Sequence, residues 1–247
     1  MTPVVRGIMI AIGAAFIIQL SMTRFGGLSP QRVFGLLGFA PEAFVTGSLW
    51  QVLTYPFLHG DPFHLLINLM MLYLLGTELE QRWGPRRFIR YYAICAVGGA
   101  LLHTLIWLMV LPFSGADAAM LGSRPIVGAS GAVYGLLMAF GVLNANAVIL
   151  AFFVVPMKAK QFVAFLIGFE ILFAVFYSDR GVAHLVHLGG MAAGYLMLKF
   201  QGPDLRGGGG GLFRRRGKMS RDEVRQRLRV VSNVPEKGNK GIPITWN

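Results

Sequence analysis

Charge is scarce in this chain, and acid is scarcer. Only 14% of its 247 residues are charged, and Asp and Glu together number 11 against 23 Lys and Arg. A soluble domain carries about 25% charged residues, which excludes a soluble globular enzyme. Cysteine is nearly absent. Cys95 is the single one, so no intrachain disulfide forms and no cysteine-based metal site exists. It sits inside an apolar run and reads as a small buried residue. The apolar runs do not alternate with polar residues, which argues against a transmembrane barrel. No paired charges line them and no broken helices recur in matching halves, which argues against a transporter.

Apolar sequence is what the chain has in quantity, at 55%. Runs near the ~20 residues needed to cross a bilayer recur along most of its length. The reading is an all-α, polytopic membrane protein with six spans: residues 4–22, 63–79, 88–113, 127–143, 162–177 and 182–200. They form one membrane domain over 1–200, followed by a basic, flexible tail over 201–247. No A-x-A-like cleavage site follows the first run, so it is expected to be retained as a helix.

The formal charge of +12 suggests nucleic acid until its placement is considered. About half of the Lys and Arg stand from Lys199 onward, after the last apolar run. That pattern suits the cytoplasmic face of a lipid bilayer and argues against a nucleic-acid partner. Arg82, Arg86, Arg87 and Arg90 flank the second connection, and Lys158 and Lys160 lie in the fourth. The alternate connections carry fewer. Both termini are therefore expected on the cytoplasmic side.

Two connections are unusual. Residues 23–62 are longer than an ordinary loop and carry Phe34, Leu37, Phe39, Phe44, Trp50 and Phe57, which predicts an interfacial element. Residues 148–157 are too short to span and end at Pro156, which predicts an inner-interface segment. In the tail, five glycines at 207–211 form a flexible link. Ser220 with Glu223 reads as a capping box, opening either a basic amphipathic helix on anionic lipid or a solvated segment.

The fourth span opens with Gly128-Ala129-Ser130-Gly131-Ala132-Val133-Tyr134-Gly135. Ser130 and Tyr134 share a helix face, and Gly131 and Gly135 form a smooth stripe for close helix approach. A serine at the end of a short helix meets water, free N–H groups and the positive dipole end. In the sixth span His187, Gly190 and Gly194 fall on one face. Packed on the Gly131/Gly135 stripe, that face brings the imidazole to Ser130, and a neutral histidine is the usual activator of a serine. His184 competes but lacks glycines at the matching offsets. His64 and Asn68, four apart in the second span, can donate to an oxyanion together with the Ser130 N–H. Asp61, Asp117 and Asp179 sit in outer connections and Glu170 in the fifth span, so the simplest reading is a Ser-His dyad with no acidic third member. Tyr134 is placed to stack on His187. A metal site built from His59 and His64 lacks an acid in the second, fourth and sixth spans, so neither metal nor cofactor is expected.

With these residues in hand, the chain resembles the rhomboid intramembrane serine proteases. The resemblance covers all six spans. It rests on the GxSGxxYG string at 128–135, the HxxxN pair at His64 and Asn68, the HxxGxxxG string at 187–194, and Glu78-Leu79-Glu80-Gln81-Arg82-Trp83-Gly84. It implies a six-helix rhomboid-like bundle and a serine endopeptidase acting on transmembrane segments of membrane proteins. Ser130 would be nucleophile, His187 base, and His64, Asn68 and Ser130 the oxyanion hole. Gly128, Gly131, Gly190, Gly194 and Tyr134 would support them, and His59 would be structural. A bacterial inner membrane is the expected location. Family members often carry Trp-Arg in the first outer loop, whereas this chain has Trp50-Gln51. The alternative is an inactive member of the same fold that binds transmembrane clients.

Overall fold

The computed structural model describes residues 1–113, 115–151, 154–176 and 181–200. The tail at 201–247, with its glycine run and capping box, lies outside them, as do Tyr177 and Asp179. The elements in chain order are α1 (Pro3–Arg24), α2 (Pro30–Leu37), α3 (Pro41–Val45), α4 (Gln51–Thr54), α5 (Pro62–Met71), α6 (Thr77–Trp83), α7 (Pro85–Val110), α8 (Gly115–Ser123), α9 (Ser130–Leu143), β1 (Val148–Ala151), β2 (Val155–Lys158), α10 (Ala159–Phe176) and α11 (Gly181–Phe200). A π turn at Leu72–Gly76 joins α5 to α6 without interrupting the helix.

Among the described residues, four helices are long and apolar enough to cross a membrane: Pro3–Arg24, Pro62–Trp83, Pro85–Val110 and Ala159–Phe176. Their outer faces stay apolar where they are exposed, as at Ile10, Ile17 and Ile18 of α1 and Phe165, Leu172 and Val175 of α10. Backbone satisfied within the helix and an apolar outside are what a bilayer demands. The chain is a multi-pass membrane protein. Helix α9 has only 14 residues, or roughly 21 Å at 1.5 Å each. It falls short of the ~30 Å hydrocarbon core.

Proline at the first turn starts α1, α5 and α7, where its missing N–H costs nothing. The acidic stretch after the second span closes the start of the chain. The Val4 and Val5 N–H groups donate to the Glu80 carboxylate at 3.0 and 2.8 Å, and the Thr2 hydroxyl donates to it as well. A carboxylate on the open N-terminus of α1 satisfies its free donors and complements its dipole. Glu78 accepts from Asn144 at 2.9 Å. Gly84 then turns the chain at φ 79° into α7.

Helix α11 lies against both α7 and α9 through glycine. A Cβ on Gly189 would sit 2.6 Å from the Gly98 carbonyl oxygen of α7, and one on Gly190 would sit 1.9 Å from the Gly131 carbonyl oxygen of α9. The expected glycine-on-glycine face is narrower than the sequence implied. Gly194 meets Tyr91 and Cys95 of α7 instead of α9. Helices that cross at an angle stay in contact for only a turn or two.

Two connections differ from expectation. The long first connection is built from α2, α3 and α4, and its strand-like Phe39 pairs with Ile126, with N···O distances of 2.9 and 2.8 Å. That pairing holds residues 126–129 out of the helix, so the fourth span begins at Ser130 and not at Val127. Gln51 ties this connection together. It is 1% exposed, accepts from the Ala40 N–H at 3.1 Å and donates to the Gly35 carbonyl at 2.9 Å. Gln51→Ala should therefore strand the buried Ala40 N–H, at a cost of about 1–3 kcal/mol, and release the Gly35 carbonyl to solvent. A lower thermal midpoint in detergent is the expected readout, and an unchanged one would remove the anchor. Within 148–158, β1 and β2 pair antiparallel, with Leu150 opposite Pro156. Val148, Ile149 and Val155 favour a strand, and this short strand pair is a local addition to a mainly helical membrane fold.

Candidate active site

Ser130 is the first residue of α9, and the segment before it is shaped to expose it. Gly128 takes φ 119°, and a Cβ there would lie 2.7 Å from His64 Cε1. Only glycine permits both the backbone conformation and the approach of the His64 ring. The Gly128 N–H donates to the Tyr55 carbonyl at 3.0 Å, which fixes the turn. Helix α9 opens without a side-chain cap, so its first N–H groups have no partner within the helix.

The Ser130 hydroxyl lies 2.8 Å from His187 Nε2. Tyr134, one turn into α9, stacks flat on the His187 ring at 4.0 Å with an interplanar angle of 5°. On the other side of the imidazole stands an acid that the expected Ser-His pair does not include. His187 Nδ1 lies 3.1 Å from Glu170 Oε2, and His184 Nδ1 lies 2.5 Å from the same oxygen. Glu170 is 1% exposed, and Tyr134 lies beside its carboxylate. Sequence places this acid in an apolar run apart from the site, because it gives no rotation for α10. Its signal was nonetheless present, since an ionisable residue inside an apolar run marks a functional site by default.

Ser130 and His64 line a cavity of about 500 Å³, together with Asp61, Arg124 and His184. Asp61 caps α5 by accepting from the His64 N–H at 2.9 Å, which orients the first turn that carries His64. Asn68 is not among the lining residues. It is buried, and its amide donates to the His64 carbonyl at 2.9 Å. The structure thus brings Ser130, His187, Tyr134 and His64 to one place and leaves Asn68 a turn below.

The model of the Rhomboid domain matches residues 46–202. The chain belongs to the rhomboid family. Among its rhomboid relatives, RHOMBOID-like protein 12, mitochondrial, of Arabidopsis thaliana is 30% identical over 155 residues, covering 61% of this chain and 46% of that protein. Rhomboid-like protease 3 of Toxoplasma gondii is 35% identical over 96 residues, 37% of this chain and 36% of that protein. Inactive RHOMBOID-like protein 8 of Arabidopsis thaliana is 36% identical over 74 residues, 30% of this chain and 21% of that protein. The chain thus spans less than half the length of each. The first relative is mitochondrial by name, which lends no support to a bacterial inner membrane for this rhomboid.

Two further residues shape the rhomboid site from outside it. The His59 ring meets the His64 ring edge-on at 5.0 Å. Burial pushes the His59 imidazole down to about 4, so it is neutral and packs as an aromatic. Gln19 of α1 holds the His59 backbone from both sides, donating to its carbonyl at 2.6 Å and accepting from its N–H at 3.1 Å. Gln19 was missed in the sequence, although an amide within an apolar run has to find partners. The donors of Glu170, His184 and His187 lie within 4.8 Å of one another and are the group, among the described residues, with the spacing to hold a metal ion. Hydrogen bonds account for all three positions.

Since one Asn68 N–H is already used on the His64 carbonyl, its loss should have a limited effect. Asn68→Ala is expected to slow turnover at the lower end of the ten- to thousandfold range on the order of one oxyanion donor. An unchanged rate constant in single-turnover kinetics would make Asn68 purely structural.

Proposed function

We propose that the protein is an intramembrane serine endopeptidase that cleaves membrane proteins within or beside a transmembrane segment. The observation that carries this reading is the 2.8 Å contact between Ser130 Oγ and His187 Nε2, at the end of a helix too short to cross the bilayer and beside a cavity lined by polar groups. Ser130 Oγ attacks the scissile carbonyl carbon while its proton passes to His187 Nε2. The oxyanion meets the first N–H groups of α9 and the donors of His64 and Asn68. Collapse breaks the C–N bond, and His187 delivers its proton to the leaving amine. A water, deprotonated by His187, then attacks the acyl-enzyme, frees the new carboxylate and returns the proton to Ser130.

The scissile backbone must first leave its helical hydrogen bonds, so helix-destabilising residues in the substrate favour cleavage. Both termini are taken as cytoplasmic, with the site toward the outer face. Residues 1–200 are taken as the catalytic unit and 201–247 as a basic tail on anionic lipid. A second reading has support in the relative named as inactive: a silent member that holds transmembrane clients. An activated serine distinguishes the two. A fluorophosphonate probe should label the wild-type protein and not Ser130→Ala. Absence of labelling in folded wild-type protein would favour the silent reading.

A further inference from the structure

We propose that Glu170 is the positioning residue of this site, holding His187 in the one tautomer that can take the Ser130 proton. The inference rests on the Ser130–His187 reading above and adds a member to it.

A carboxylate buried in a membrane helix persists only where donors satisfy it. Glu170 is 1% exposed, while Phe169, Ile171 and Leu172 on either side of it are exposed along α10. Its side chain therefore points away from lipid and toward α11. There it meets two histidine nitrogens: His187 Nδ1 at 3.1 Å and His184 Nδ1 at 2.5 Å. His184 and His187 are three apart on one helix, so both reach one oxygen.

An ionised carboxylate only accepts hydrogen bonds, and a neutral imidazole carries a single N–H. With the His187 proton on Nδ1 and directed at Glu170, Nε2 is left with a lone pair. The Ser130 hydroxyl, 2.8 Å away, must then be the donor. That is the direction the attack requires. The opposite tautomer would make Ser130 the acceptor and remove the base. Tyr134 holds the ring plane at 5°, so the imidazole points from Glu170 to Ser130 and cannot tilt off the line. When Nε2 takes the proton, the imidazolium forms beside a carboxylate in a low-dielectric site, where the pair interaction is strong.

The test uses full-length protein labelled with ¹⁵N-histidine in detergent micelles. The chain has five histidines, and His187 is assigned by difference with His187→Gln. The wild-type resonance should report the Nδ1–H form. In Glu170→Gln it should shift toward Nε2–H, because an amide can also donate. Cleavage of a transmembrane substrate should then lose at least about tenfold in kcat, the direction seen whenever a catalytic histidine takes the wrong tautomer. KM should stay within about twofold. Glu170→Asp keeps the charge and should recover part of the loss.

Three results would overturn the proposal: a wild-type His187 in the Nε2–H form, a Glu170→Gln protein with kcat within twofold of wild type, or a slower one whose His187 keeps its tautomer. Loss of wild-type activity on chelation, restored by zinc, would give the three donors to a metal and overturn it too. If Glu170→Gln fails to fold, the wild-type tautomer alone decides. Retained activity in Ser130→Ala would instead sink the underlying nucleophile reading, whatever the tautomer.

Discussion

Ser130→Ala should reduce cleavage of a model transmembrane substrate by more than about a thousandfold, roughly 4 kcal/mol of barrier, with expression and folding intact. The size of the effect follows from the role: the hydroxyl supplies the bond-forming oxygen, and no neighbouring group replaces it. Folding should be spared for local reasons. Ser130 is the first residue of α9, and its side chain makes no cap hydrogen bond with its own helix. Its hydroxyl partner is His187, which still keeps Glu170 on the other nitrogen. Alanine is also the better helix former. The measurement is gel-resolved cleavage in detergent beside a size-exclusion profile. Cleavage above a tenth of the wild-type rate in a monodisperse variant would remove Ser130 as nucleophile.

The same residues explain what could be read from sequence and what could not. Within one helix, spacing is geometry. Ser130 and Tyr134, or His187 and Gly190, share a face because four or three residues close one turn. Between helices, small residues mark where backbones touch, and Gly190 against Gly131 is such a contact. Helix α10 offered neither signal. Nearly all of its residues are apolar, and a helix apolar all round does not disclose which face turns inward. Glu170 was visible as an acid in a span but not as the neighbour of His187. The long first connection hid its organisation for another reason. Gln51, Trp50 and Thr54 hold it through carbonyls and an N–H of residues 35–40, and side-chain contacts to distant backbone leave no periodic trace. The Phe39–Ile126 bridge, which moves the start of α9 to Ser130, pairs residues too far apart for any local pattern to register.

His187→Ala should be as damaging as Ser130→Ala, and the double variant no worse than either. Residues that act as one unit lose the whole effect at the first deletion. Without the imidazole the Ser130 hydroxyl keeps its proton, and the leaving amine has no acid. His184→Ala should be far milder. Its Nδ1 is directed at Glu170, and its ring meets His187 edge-on at 6.1 Å. Removing it leaves both the His187–Ser130 and His187–Glu170 contacts available. The comparison has to be made on rate constants under single-turnover conditions, so that slow product release does not level the variants. Equal losses for His187→Ala and Ser130→Ala, with the double variant at the same floor, are the expected pattern. A double variant much slower than both singles would mean that the two side chains contribute separately. An essential His184 beside a dispensable His187 would reverse the assignment of the base, and the Gly190–Gly131 contact would then have no bearing on catalysis.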